Sequence, residues 1–270
     1  TAILADTLIR NGHEVLWWSS TFDHVNKRFR FFRTTEIQWK ERYKLILLHG
    51  AYYRTNISIG RLVNHWQIGR EFNRLIKFQS RPDLILCSFP TIELSLASVD
   101  YGTCQNVPVI LDVRDLWPDI FVDAVPKLFR SLARIILYPM FRKTRDAFRR
   151  ATGVVGISQT YLAWGLNCAT REPHNFDRMI PHGYIRSKLT LADEVNAGRL
   201  LRSLGVDPEK KICWFLGVFG STYDLDTVIC AARLVREEKT FENVQFVFSG
   251  TGDLNERWRK AARGLSNIVF

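Results

Sequence analysis

The sequence predicts an α/β protein built on doubly wound parallel sheets, and three observations predict it. Two apolar, β-branched runs, residues 84–87 and 107–113, are separated by a helix-length segment. A strand, a crossover helix and a second strand form a βαβ unit, whose strands are parallel. The pattern returns in the second half, with a strand-like run at 211–216, a helical period over 225–236 and another apolar run at 244–248. Each run also stops abruptly. Ser88-Phe89-Pro90-Thr91 and residues 114–119 close the first pair; Gly217-Val218-Phe219-Gly220 and Gly250-Thr251-Gly252 close the second. Ligands of open α/β sheets sit just beyond the carboxyl ends of the strands, so these loops are where chemistry is expected.

In chain order, residues 1–10 read as a helix through Ile3, Leu4, Leu8 and Ile9, and Asn11-Gly12 supplies a left-handed stop. A strand over 13–18 follows. Residues 21–53 are aromatic and basic, with Lys27, Arg28, Arg30 and Arg33 set among Phe29, Phe31 and Phe32. Residues 59–78 read as a helix, and Pro82 leads into the first βαβ strand. The stretch 127–150 holds eight Lys and Arg against one acid, Asp146, and is broken by Pro139. An amphipathic helix of this kind either buries its apolar side in the core or lies on an anionic membrane surface. The core reading is taken for 128–137 and membrane contact for 142–150. A short strand at 153–157 ends in Ser158. The polar stretch 167–196, with a turn at Ile180-Pro181-His182-Gly183, reads as the interdomain connection, giving domains at 1–178 and 179–270. A helix over 254–263 and a strand opening at 267 complete the pattern.

Composition bounds the function. The chain has 270 residues, 46% hydrophobic and 24% charged, as expected of a globular protein with a real core. No apolar run approaches the roughly 18 residues of a membrane span. The net charge of +11 sits mostly in residues 1–150, which carry a basic surplus of 9 against 2 in the remainder. A nucleotide sugar or a phospholipid surface fits that excess; nucleic acid is not expected, because no recognised binding motif accompanies it. Five cysteines without paired spacing read as reduced thiols of a cytoplasmic protein, with Cys87 and Cys213 buried in strands. The six histidines show no metal spacing and no metal is expected; His13 and His65 read as ordinary fold positions.

The loop at 114–119 carries the clearest chemistry. Asp115 follows a buried strand beside Trp117 and Pro118, where a partly desolvated carboxylate can accept a proton or a hydroxyl. Its other reading is a cap for the next helix. Arg114 either clamps an anion or neutralises Asp112 and Asp115. In the second half, glycine turns let backbone N–H groups approach a phosphate at a helix N-terminus. Asp224 and Asp226 there suit the helix dipole but repel a diphosphate.

Set in order, NGHEV, PDLILCSFP, VPVILDVRDLWPD, GVVGIS, IPHGY, FLGVFGSTYDLDTVICAARLV and VQFVFSGTGD resemble family-four glycosyltransferases of the GT-B type. The likeness is greatest to the bacterial sub-branch with a DLWP loop, the fucosamine-type amino-sugar transferases of surface polysaccharide synthesis, and residues 52–72 share it. The resemblance implies two Rossmann-like doubly wound domains, the first lacking its opening strand and the second truncated. It implies retaining transfer of a sugar from a nucleotide-diphosphate donor to a lipid-linked or saccharide acceptor, without a cofactor, at the inner face of the plasma membrane.

By the same resemblance Asp115 and Arg114 face the reacting sugar, and Pro90, Thr91 and Asp119 line the acceptor side. His182 and Gly183 stand where the family usually has Asn-Gly, and Gly217, Gly220, Gly250 and Gly252 approach the donor. Three departures qualify it. Arg114 occupies the place of a functional His; Val218 and Tyr223 replace a diphosphate-clamping Arg and Lys; Asp224 replaces a Gly. The family's first glycine loop would precede Thr1 and its paired glutamates would follow Phe270, so the chain is expected to be a fragment, inactive alone. The rival expectations are a sugar-nucleotide epimerase, which calls for a carboxylate and His pair, and a non-catalytic remnant that binds a membrane or a partner enzyme.

Overall fold

Gly12 takes φ +88° and ends the first helix, α1 (Ala2–Arg10), where the Asn-Gly stop predicts it. The computed structural model describes residues 2–55 and 58–270. The strand read over 13–18 is β1 (Val15–Ser20), and the region 21–53 resolves into a small hairpin of β2 (Phe22–Asp23) and β3 (Arg28–Phe29), then β4 (Thr35–Lys40) and β5 (Tyr43–Leu48). β5 pairs parallel with β1 and antiparallel with β4. Helix α2 (Ile59–Leu75) starts where the Ser58 side chain accepts from the Arg61 N–H. Its Ile68 and Phe72 pack on Ile46 and Leu48 of β5, and Ala97 from the next helix joins the same cluster.

The predicted βαβ unit is β6 (Ile85–Phe89), α3 (Ile92–Gln105) and β7 (Val109–Val113). Asn106 in the left-handed region stops α3. The chain continues through α4 (Asp119–Asp123), α5 (Arg130–Ile136), α6 (Tyr138–Arg150), β8 (Gly153–Gly156), α7 (Gln159–Ala169) and β9 (Arg178–Met179). These strands make a parallel sheet in the order β6-β7-β8-β9. Their register aligns Phe89 with Val113, Val113 with Gly156 and Gly156 with Met179, so four carboxyl ends finish level. Phe89, Leu111, Val113, Phe148 and Val154 are wholly buried beneath that edge. Each such side chain contributes about 1.5–3 kcal/mol by leaving water.

The compact unit containing these elements runs to Ile185; the second comprises Arg186–Phe270. It holds α8 (Leu191–Ser203), β10 (Lys211–Leu216), α9 (Leu225–Glu237), β11 (Val244–Ser249), α10 (Asn255–Ala261) and β12 (Ile268–Val269), with a parallel sheet ordered β10-β11-β12. Helix α8 opens inside the stretch read as connection. Its Thr190 and Asp193 form a capping box, a local signal independent of apolar period. Phe219, Ile229, Phe248 and Trp258 form the core of this unit.

Two expectations are corrected. Cys213 lies in β10 as predicted but is exposed, because β10 is an edge strand whose Trp214 and Leu216 also face outward. The basic stretch is reversed: α6 buries Thr144, Ala147 and Phe148 against its neighbours, while α5 buries nothing. Pro139, in the first turn of α6, starts a new helix there. The core-facing stripe therefore falls after the proline, within 142–150. Among the described residues no helix is long and apolar enough to cross a membrane.

Candidate active site

The level strand ends bring the first-half loops together. Arg114 N–H donates to the Phe89 carbonyl at 3.3 Å, so the Pro90-Thr91 turn and the 114–119 loop lie side by side. One strand further on is Ser158, the N-cap of α7, and then Ile180, whose N–H donates to the Gly156 carbonyl at 2.8 Å. His182 and Gly183 follow in an exposed, irregular stretch of the same unit, and a side chain at Gly183 would meet nothing within 4 Å.

Asp115 is half-buried at this edge, and its Oδ1 accepts from the Leu116 N–H at 2.9 Å. It does not cap the following helix: α4 has Pro118 at its N-cap and no side-chain cap. The structural role foreseen for Asp115 is thereby removed. Arg114 takes the neutralising role, its Nε donating to buried Asp112 at 2.6 Å. Asp119 accepts from the Trp164 indole at 2.9 Å and so ties α4 to α7. Thr91 is the N-cap of α3, and its carbonyl accepts from Ser95.

The surroundings of Trp117 supply residues the sequence did not single out. Trp117 is buried; the Trp117–Pro118 bond is cis; and Phe121 meets the indole edge-on at 4.5 Å. Arg61 and His65, one turn apart on α2, cover the same indole. The guanidinium lies 4.4 Å from the ring centroid and the imidazole stacks at 5.3 Å. Arg61 Nε donates to His65 Nε2 at 3.4 Å, which requires a neutral imidazole with its proton on Nδ1. Burial, and then the Arg61 charge, push His65 down to about 4, in agreement. Burial also lowers Arg61, while Tyr53 and Asp115 act to raise it. His65 is a buried, neutral imidazole packed on Trp117, as suits the ordinary fold position read for it. The available signal was the i, i+4 spacing of Arg61 and His65, which puts both on one helix face.

Lys27 stands beyond them, its Nζ 5.0 Å from the Tyr53 ring centroid and its backbone left-handed at φ +52°. Asp23 builds that turn by accepting from the Val25 and Asn26 N–H groups. Hydrogen bonds from Asn26 and Arg30 hold its carboxyl well below the usual range. Burial, then the charges of Lys27 and Arg61, lower His24 beside it. Tyr53, Asp115, Lys27 and His24 all lie within electrostatic reach of Arg61, so cationic and aromatic groups gather around that guanidinium. A separate open groove of about 630 Å³ runs along α2 past Trp66, Arg70 and Lys77, and none of the predicted site residues lines it.

In the second unit the two glycine loops lock to one another. Gly217 N–H donates to Ser249 at 3.0 Å, Phe219 N–H to Thr251 at 2.8 Å and Leu254 N–H to Phe219 at 3.0 Å. A Cβ on Gly250 would collide with the Gly217 carbonyl, so this glycine is required by loop packing whatever it binds. Gly252, at φ +156°, approaches the Phe219 backbone in the same way. Val218 and Tyr223 are exposed. Asp224 caps α9 through Thr227, and Asp226 pairs with Arg257 at 2.7 Å, so both acids are engaged locally. Among the described residues no cluster of His, Cys, Asp and Glu could hold a metal ion.

No family model and no curated protein matches the chain. Solved structures do. The chain is similar to WaaG, a glycosyltransferase involved in lipopolysaccharide biosynthesis, with a TM-score of 0.59 and 13% identity over 98% of this chain and 63% of that one. It is similar to an α,α-trehalose-phosphate synthase (UDP-forming) from Burkholderia vietnamiensis, with a TM-score of 0.59 and 11% identity over 98% and 64%. A third similar structure is described as trehalose-6-phosphate from E. coli bound with UDP-2-fluoro glucose, with a TM-score of 0.56 and 10% identity over 98% and 65%. The chain spans less than two thirds of the length of each of these. The likeness establishes a fold, the parallel α/β arrangement of GT-B glycosyltransferases, over most of the chain.

Proposed function

We propose that the protein is a retaining glycosyltransferase. In this reading it moves an amino sugar from a nucleotide-diphosphate donor to a lipid-linked or saccharide acceptor of bacterial surface polysaccharide synthesis. It works in the cytoplasm, at the inner face of the plasma membrane. The observation that carries this reading is Asp115: a half-buried carboxylate at the end of β7, not used as a helix cap and beside Arg61 and Trp117. Its carboxylate accepts a hydrogen bond from a sugar hydroxyl and orients the reacting ring, and the Arg61 guanidinium, seated on buried Trp117, lends positive charge beside it. Lys27 and Arg61 suit the phosphate of a lipid-linked acceptor. Pro90 and Thr91 continue the acceptor side, while His182, Gly183 and the glycine loops at 217–220 and 250–252 serve the donor.

The amino-sugar assignment rests on the DLWP loop resemblance, and the fold supports the transfer chemistry in general. The test is transfer itself. The protein, expressed from its complete reading frame, is incubated with a panel of nucleotide-diphosphate sugars and polyprenyl-phosphate-linked saccharides. The product is read by mass and by the anomeric NMR coupling. Transfer with retention supports the reading, and inversion or no transfer across the panel sinks it. A second reading, binding without transfer, is favoured by exposed Val218 and Tyr223 where a diphosphate clamp is expected. It predicts donor binding too weak to saturate in the same experiment.

A further inference from the structure

Residues 128–138 of the first unit expose six large apolar side chains in one short stretch. Leu128 is 85% exposed, Ile135 71%, Ile136 67%, Tyr138 58%, Leu132 54% and Phe129 52%. On α5, Leu132, Ile135 and Ile136 fall at i, i+3 and i+4 on one face, and Leu128 and Phe129 are exposed in the short helical turn that precedes it. That face is turned to solvent, the opposite of what a core helix does, and α5 has no buried residue at all. Scattered surface leucines are ordinary, but a contiguous set of this size marks an interaction surface.

Its charge narrows the partner. The segment 127–150 has eight Lys and Arg and one acid. Lys127 and Arg134 on this segment and Arg142 and Arg145 on the next helix are exposed, while Arg130 pairs with Asp123 at 3.3 Å. Two copies of the face meeting each other would bring these cations together, whereas an anionic lipid surface satisfies them. We propose that the short helical turn Lys127–Phe129 and helix α5, with Tyr138 at the start of α6, dock this protein on an anionic bilayer, with the apolar side chains in the headgroup layer and the basic groups on lipid phosphates.

The fold gives this surface an orientation. It follows the 114–119 loop at the carboxyl edge of the β6–β9 sheet. The 13-residue helix α6, about 20 Å long at 1.5 Å per residue, carries the chain back to the amino end of β8. The lipid-facing side chains and Asp115 therefore share one edge. Docking stands without the transferase reading; only the delivery of a lipid-linked acceptor towards Asp115 rests on it.

The test is co-sedimentation of the full chain, without donor or acceptor, with two kinds of vesicle: phosphatidylcholine alone, and phosphatidylcholine with phosphatidylglycerol in equal parts. The chain is expected to bind the anionic vesicles and to lose most binding between about 0.1 M and about 0.5 M salt. The triple variant Leu128→Ser, Ile135→Ser, Ile136→Ser should bind at least about tenfold more weakly. Its far-UV spectrum and melting should be unchanged, because it alters exposed side chains only. Leu234→Ser and Phe78→Ser, at exposed apolar positions elsewhere, should bind as the parent does. Three outcomes overturn the proposal: no binding to anionic vesicles, binding unaffected by the triple variant, or lipid-independent self-association that the triple variant abolishes. The last would assign this surface to a second copy of the chain. Absence of transfer activity leaves the sedimentation result unchanged, so the two readings fail separately.

Discussion

Arg61 sits over the indole of Trp117, 4.4 Å from the ring centroid, and holds His65 against the same ring. A helix in the first half of the unit is thereby clamped to the loop after β7, and Asp115 lies two residues before the clamped indole. Removing the guanidinium should loosen this clamp without unfolding the domain. Arg61→Ala is expected to change the Trp117 fluorescence and to raise the acceptor KM, with melting shifted by only a few degrees. Arg61→Lys should not restore the parent behaviour, because an ammonium lacks the planar face. Full rescue by lysine would show that charge alone matters.

Asp115→Asn keeps the size and the Leu116 contact of the side chain and removes its charge. Turnover should fall by about a hundredfold or more, the usual scale for a positioned acid–base or orienting carboxylate, with an unchanged circular dichroism spectrum. Unimpaired turnover would remove Asp115 from the site.

Acid stability should depend on Asp177. Burial alone would raise this carboxyl, but hydrogen bonds from Arg171 and from the His174 and Val154 N–H groups outweigh it and hold the group at about 2 against 3.8 when unperturbed. A depressed folded value means stability that is fully present above about 3.8 and lost as pH falls towards about 2. The contribution is on the order of 2 kcal/mol. Asp177→Asn should therefore lower the urea midpoint at pH 7, and the gap from the parent should narrow when both are measured near pH 2.5. A gap independent of pH would contradict the ion-pair account.

Gly250→Ala and Gly183→Ala should differ sharply. The first drives a Cβ into the Gly217 carbonyl and should cost about 1–3 kcal/mol. The second meets open space and should cost little. Thermal melting of both variants checks this, and equal stability would mean that the loop lock gives way easily.

The thiols should divide by burial. Cys104, Cys213 and Cys230 are exposed and should react with a thiol reagent at pH 8. Cys87 is buried, and burial followed by the charge of Asp119 pushes Cys168 up to about 12, so both should stay protected until denaturant is added. Labelling resolved by mass spectrometry reads the pattern.

The βαβ core was legible because its strands read as unbroken apolar runs, and of the two β7 is almost wholly buried while β6 buries Cys87 and Phe89. The α8 capping box was equally local but lay in a stretch without apolar period, and it went unread. The apolar residues of 127–138 show the limit of pattern reasoning. Periodicity identifies an amphipathic helix but not what its greasy side touches, and here α6 holds the inner position while α5 faces out. The place of Asp115 at a strand end was legible. The packing of Arg61 and His65 on an indole was not, because Trp117 comes more than fifty residues later in the chain.

The level ends of β6, β7, β8 and β9 also act as a ruler. Neighbouring strands are about 4.8 Å apart, so the loops beginning at Pro90 and Ile180 stand about 14 Å from one another across three gaps. A single sugar ring is less than half that width. Whatever touches both ends of this terrace is either longer than a monosaccharide or two molecules lying side by side, with the loop of Asp115 one step in from the end marked by Pro90.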